Sequence, residues 1–437
     1  MEHLALARSQ MAFALGFHII FASISMVMPF LMALSYWQYL RHRNPRDLRL
    51  TKVWMKGSAI LFATGAVTGT ALSFQLGLLW PGFMEHAGPI IGMPFSLEGA
   101  FFFMEAVFLG LFLYGWKRIP ERLHLLCGLM VGVTGLGSGL LVIAANGWMN
   151  APSGFVWTGE GAVDIHPWRA FFNEAWLLQA FHMLVAAFQA TGIAAIGLHC
   201  FGLLRNRAPA FHRRALLYLT PFFVGASLIQ PMLGDLSAKA VARRQPEKLS
   251  AMEAHFETGN WAPLLLGGIP DEENETVKFG IPLPGGLSFL AFGDPRAEVL
   301  GLDAFAPEDR PPVAIVHFSF QIMVAIGTLL ALVALGWVYF AWKRIDILRN
   351  RKWLWLHVAL IPAGFLALEA GWVVTEVGRQ PWVIYRVLRT AETVTPVPGI
   401  GWAFAGIVVL YSTIGLISLS MIWRWFAKAQ LQEEALA

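Results

Sequence analysis

An all-α, polytopic membrane protein with about nine transmembrane helices is the fold class this sequence predicts, on three observations. Of the 437 residues, 57% are hydrophobic and only 14% charged, with a mean hydropathy of +0.57, far from a soluble average. Apolar runs recur at roughly the ~20 residues needed to cross a bilayer. Positive charge alternates between the connections that join them. The length alone would have allowed two or three soluble domains.

The expected spans are 10–40, 53–79, 94–116, 123–147, 171–204, 214–238, 312–342, 354–378 and 400–425. Arg41, Arg43, Arg46, Arg49, Lys52 and Lys56 follow the first span, and Lys117, Arg118 and Arg122 follow the third. Arg205, Arg207, Arg213 and Arg214 follow the fifth, and Lys343, Arg344, Arg349, Arg351 and Lys352 the seventh. The connection at 80–93 has no Lys or Arg, and 148–170 has only Arg169. The positive-inside rule then predicts an N-terminus outside and a C-terminus in the cytoplasm. Glu2 and His3 stand where a signal peptide would be basic, and Leu15–Leu40 has no cleavage site, so the first span is expected to be retained. Cys127 and Cys200 lie in apolar runs outside any CxxC or CxxCH pattern, which argues against structural disulfides and covalently attached haem.

Three segments follow: helices one to six (1–238), a long outer-face connection (239–311), and helices seven to nine with a short cytoplasmic tail (312–437). The 239–311 stretch mixes charge, Pro and Gly with apolar patches (WAPLLLGGIP, FGIPLPGG), as a folded lid would. Within it, PEKLSAMEAHFETG reads as a short amphipathic helix bearing Lys248 and Glu253. A cation and a carboxylate near the interface can bind and deprotonate an amphiphilic diol, although such a pair is also what a solvated helix face looks like. No internal repeat, phosphate-binding glycine loop, zinc-spacing motif or nucleic-acid signature is present. The basic residues are explained by topology.

Several intramembrane residues carry possible chemistry. His18 in RSQMAFALGFHII is either a packing residue or an axial haem ligand, and Arg8, ten residues earlier, could snorkel or pair with a propionate. His182 in LLQAFHMLVAAFQATG and Met323 in VHFSFQIMVAIG each lie about 11 residues into their spans, so at about 1.5 Å per residue they share a depth. His/Met ligation makes a low-spin, six-coordinate haem. Met alone would be core filler, and His317 competes but lies nearer the interface. Glu98 and Glu105, seven apart in LEGAFFFME, share one helix face, as a proton path or a hydrogen-bonded pair would. Ser138 and Asn146 on the fourth span could extend such a path, although GLGSG also suits close packing. Finally, EAGWVVTEVGRQPW (Glu369–Trp382) carries two carboxylates and a helix stop. Its Glu376 is a functional candidate, unless it simply pairs with Arg379.

These strings, in this order, resemble subunit I of the cytochrome bd quinol oxidases along nearly the whole chain. The resemblance rests on RxQ…FAL…H, ANGWMNAP (Ala145–Pro152), KLSAMEAHFET, GIPDEENET and GRQPW. It implies a haem-containing subunit of a terminal oxidase that oxidises quinol at the outer face and reduces O2 to water at a di-haem site. Two other readings remain: a membrane haem protein passing quinol electrons onward without oxygen chemistry, and an ion transporter. The resemblance implies His182 and Met323 as ligands of low-spin haem b. His18 and Glu376 would ligate two high-spin haems, one of them b and the other d or a further b, with the assignment between them open. It places Trp372 and Arg379 near the haems, Glu98 and Glu105 beside them on the proton route, and Lys248 and Glu253 at the quinol. It implies a bacterial inner-membrane location and a second integral-membrane subunit, and allows a small single-span one. Gln321 departs from the pattern, standing where some members have an Arg that interacts with the low-spin haem.

Overall fold

The computed structural model describes residues 2–159, 161–394 and 398–434. Among the described residues, nine helical segments are long and apolar enough to cross a membrane. They are α1 (Glu2–His42), α2 (Pro45–Leu79), α3 (Pro81–Tyr114), α4 (Glu121–Asn150), α6 (Trp176–Leu204), α7 (Pro209–Arg244), α10 (Val313–Trp342), the joined pair α11 (Arg351–Ala359) and α12 (Ala363–Val377), and α13 (Ile400–Glu434). Shorter helices are α5 (Pro167–Phe171), α8 (Pro246–Glu253) and α9 (Gly286–Phe292).

Most of these helices extend beyond the apolar windows, because hydropathy reports the membrane and not the helix end. Pro45, Pro81 and Pro209 open α2, α3 and α7, a position where the missing N–H costs nothing. Asn44 caps α2, its side-chain oxygen accepting from the Arg46 N–H at 3.0 Å. The fifth span begins later than expected, since residues 167–171 form the separate α5.

The core lies where α1, α2, α6 and α7 meet, around Leu31, Met32, Leu50, Ile193, Phe211 and Phe223. A buried polar clamp ties α2 to α7 at the basic side. Asp47 is fully buried and accepts from Arg214 at 2.8 and 2.9 Å and from the Tyr218 hydroxyl at 2.7 Å. By contrast α3, α10 and α13 leave most of their apolar surface outward, which suits lipid or another membrane subunit.

The connection between α7 and α10 is folded. After α8 come two antiparallel pairs, β3 (Leu264–Leu266) with β6 (Ile281–Leu283) and β4 (Ile269–Asp271) with β5 (Thr276–Lys278). Smaller hairpins are β1 (Val156–Trp157) with β2 (Ala162–Val163), and β7 (Trp382–Ile384) with β8 (Leu388–Arg389). The helix expected in PEKLSAMEAHFETG is α8, but it is not amphipathic. Glu247 through Glu253 are buried on every side, because α8 is wedged between α7 and α10.

Candidate functional site

A cavity of about 440 Å³ opens between α6, α7, α10 and α12 beneath α8 and β3. His182 from α6 and Met323 from α10 both line it, together with Trp372 of α12, Lys248, Glu253 and Gln321. The shared depth of His182 and Met323 thus becomes a shared cavity, although the later start of α6 changes the residue count that suggested it. Gly371 makes room there: a Cβ on it would stand 3.1 Å from the Met323 sulfur. His317 is different. It is fully buried and donates from Nδ1 to the Met252 carbonyl at 2.9 Å, so it is a packing residue under α8.

Lys248 is buried, with its ammonium nitrogen 2.8 Å from Asn150 Oδ1 and 3.4 Å from the Thr375 carbonyl. Burial, helped by the nearby Arg379 cation, pushes its pKa down to about 7. Burial also pushes the Glu253 carboxyl up to about 8, and its Oε2 has no hydrogen-bond partner. The expected cation and carboxylate are therefore a pair that the protein drives toward neutrality, poised to exchange protons near neutral pH.

From Lys248 a continuous hydrogen-bonded chain runs inward. The Asn150 amide donates to the Asn146 carbonyl at 2.9 Å and to its Oδ1 at 3.2 Å. Asn146 Nδ2 donates to Glu376 Oε1, and Arg379 donates to Glu376 Oε2 at 2.7 Å. The pairing of Glu376 with Arg379 is thus present, but it does not exhaust either group. Arg379 is 2% exposed, and its Nε and Nη1 have no partner.

The acidic residues of α3 face α4. Ser138 donates to Glu98 Oε1 at 2.7 Å. Glu105 is buried against Gly135 with Oε1 unpartnered. Ser138 and Asn146 thus make different partners along α4, Ser138 with Glu98 and Asn146 with Glu376.

His18 bonds through Nδ1 to Thr68 Oγ1 at 3.0 Å. The Thr68 hydroxyl proton is directed to the Thr64 and Gly65 carbonyls, so Thr68 accepts and His18 Nδ1 carries the proton. The other ring nitrogen, Nε2, is then left bare, as a metal ligand requires. Arg8 lies half-buried on the same helix without an ion-pair partner among the described residues.

Glu369, Asn150 and Glu247 belong to this constellation without having been assigned roles from sequence. Glu369 lies beside Gly16 of α1, its Oε1 unpartnered. Its seven-residue spacing from Glu376, the same as between Glu98 and Glu105, is the signal in the sequence. Asn150 sits inside the ANGWMNAP string, whereas nothing in the sequence marks Glu247, which accepts from the Tyr385 hydroxyl at 2.7 Å.

The family profile for cytochrome bd terminal oxidase subunit I matches residues 6–430. A putative cytochrome bd menaquinol oxidase subunit I of Bacillus subtilis (strain 168) is 33% identical, over 99% of each chain. The cytochrome bd ubiquinol oxidase subunit 1 of the same organism is 32% identical, over 98% of this chain and 94% of the relative. The solved bd oxidase from Geobacillus thermodenitrificans superposes with a TM-score of 0.92 at 34% identity, over 98% of both chains.

Proposed function

The chain belongs to the cytochrome bd terminal oxidase subunit I family, and from that membership we propose how its residues serve a membrane-bound quinol oxidase. The activity is that of a terminal quinol:oxygen oxidoreductase, and haem is the cofactor that the family carries. The residues fit haem. Met323 and His182 present a thioether and an imidazole to one cavity, His18 keeps a bare ring nitrogen, and Arg379 offers buried donors suited to propionate. When bound, haem supplies one-electron transfer and the iron at which oxygen is reduced.

In this reading His182 and Met323 hold a low-spin haem b. His18 and Glu376 hold the two high-spin haems, one of type b and the other of type d or b. Asn146 orients Glu376 through its amide, and Arg379 and Trp372 shape the surroundings. Quinol occupies the cavity mouth, where Lys248 and Glu253 bind its hydroxyl groups and take their protons. Protons for oxygen reduction arrive past Glu105, Glu98 and Ser138. The N-terminus lies outside and the C-terminus in the cytoplasm, so quinol protons are released on the outer side. The second oxidase subunit packs against this chain, and a small single-span subunit completes the complex.

The observation that carries the reading is that His182 of α6, Met323 of α10, and Lys248 and Glu253 of α8, from three separate elements, line one cavity. The test is a reduced-minus-oxidised spectrum of the purified complex, repeated under carbon monoxide. The expected result is a low-spin b signal together with a CO-reactive high-spin signal, and a red-shifted chlorin band marks haem d. Low-spin haem without a CO response indicates electron transfer only, and an intact preparation without haem sinks the proposal.

A further inference from the structure

The folded connection between α7 and α10 has two ends of opposite character. Its β4–β5 turn carries Asp271, Glu272, Glu273 and Glu275, and it is held at the start of α10. Glu272 accepts from the Ala314 N–H at 2.9 Å, and Arg310 pairs with Glu275 at 2.8 Å. At the other end, where the β3–β4 and β5–β6 connections meet, Leu266, Ile269, Phe279 and Ile281 gather. All are exposed, Phe279 by 88% and Ile281 by 63%.

Gln321 fixes the depth of that apolar end. Its amide donates to the Leu265 carbonyl at 3.1 Å and accepts from the Gly267 N–H at 3.4 Å. Gln321 stands eight residues into α10, about 12 Å below the helix start at about 1.5 Å per residue. The 30 residues of α10 span about 45 Å, and a hydrocarbon core of about 30 Å centred on them leaves only about 7 Å outside at each end. The level of Gln321 is therefore inside the hydrocarbon, beside the outward-facing Ile315, Phe318 and Ile322. Non-helical backbone at that depth must have its polar groups satisfied by protein, and the Gln321 amide satisfies one carbonyl and one N–H.

We propose that the apolar junction formed by Leu266, Ile269, Phe279 and Ile281 is embedded in the lipid of the outer leaflet, latched to α10 by Gln321, with the acidic turn above it in water. The occupant of this surface is lipid, because the patch continues the lipid-facing stripe of α10 and its one neighbouring charge, Lys278 opposite Ile269, is neutralised by Asp271 of the acidic turn at 2.7 Å. β3 also lines the cavity through Leu264, Leu265 and Leu266, so the hairpin is a thin wall between cavity and bilayer. On the quinol reading above, it is the flap of a lateral portal through which an amphiphile enters from the membrane.

The test uses the whole oxidase complex in lipid nanodiscs, labelled with bimane at Phe279→Cys or, as the aqueous reference, Glu273→Cys; the native Cys127 and Cys200 are buried. Brominated lipid is expected to quench the label at 279 several-fold more than dissolved iodide does, with the order reversed at 273. Adding Gln321→Leu, which leaves the Leu265 carbonyl unpaired, is expected to expose the 279 label to iodide. Iodide reaching 279 as readily as 273 in the unlatched and latched proteins alike overturns the proposal. So does a 279 label that neither quencher reaches, which would mean that protein covers the patch. Quenching reads no turnover, so its failure removes the lipid contact alone, whereas absence of haem removes only the functional reading.

Discussion

Replacing Met323 by Leu keeps the apolar volume of the side chain and removes the sulfur that makes it a ligand. Met323→Leu is therefore expected to abolish or shift the low-spin haem band while CO binding is partly retained; an unchanged low-spin spectrum removes Met323 as a ligand. Lys248 and Glu253 allow a prediction of opposite design, in which the spectrum stays and the pH profile moves. Lys248 loses its proton above about 7, and Glu253 becomes a carboxylate above about 8. Both become proton acceptors as pH rises, so kcat/KM for quinol should climb through that window. In Glu253→Gln the upper inflection should vanish with all haems still bound. An identical profile in the variant excludes Glu253 as the acceptor.

Single elements hold these groups in place by means that hydropathy does not register. α8 looks amphipathic in sequence but is buried all round, which leaves Lys248 and Glu253 desolvated instead of a solvated pair, the condition that the proposed quinol deprotonation needs. The Asp47 clamp between α2 and α7 is remote from the cavity, so its loss should be felt as stability only. Asp47→Ala leaves the buried ends of Arg214 and Tyr218 unpaired and is expected to cost about 3 kcal/mol. The measurement is a lowered thermal inactivation midpoint with an unchanged haem spectrum at low temperature. Unaltered thermal stability would show that the clamp contributes nothing net.

The whole molecule is a bundle with a buried centre at α1 and α6 and apolar outer helices, capped on one side by a folded lid. The alternation of basic connections predicts that a reporter fused to the C-terminus is active in the cytoplasm and that one inserted in the 239–311 connection is active outside. Activity of both reporters on the same side would contradict the orientation and, with it, the release of quinol protons at the outer face.

Membrane class, span number and family were legible in the sequence, because crossing a bilayer demands long apolar helices and because strings such as GRQPW occur in order. His182, Met323, Glu376, Lys248 and Glu253 were legible as candidates for a related reason: polar or ligating groups are costly in that setting and stand out. Partnership was not legible. Ser138 and Asn146 lie two turns apart on α4, yet one bonds Glu98 and the other Glu376. Gln321 read as the loss of an Arg, and in the fold it bonds the Leu265 carbonyl and the Gly267 N–H of the outer connection. Such contacts join residues far apart in sequence, and the packing of α4, α8, α10 and α12 decides them. Local periodicity sets which face a residue occupies, but only the assembled bundle sets what that face meets.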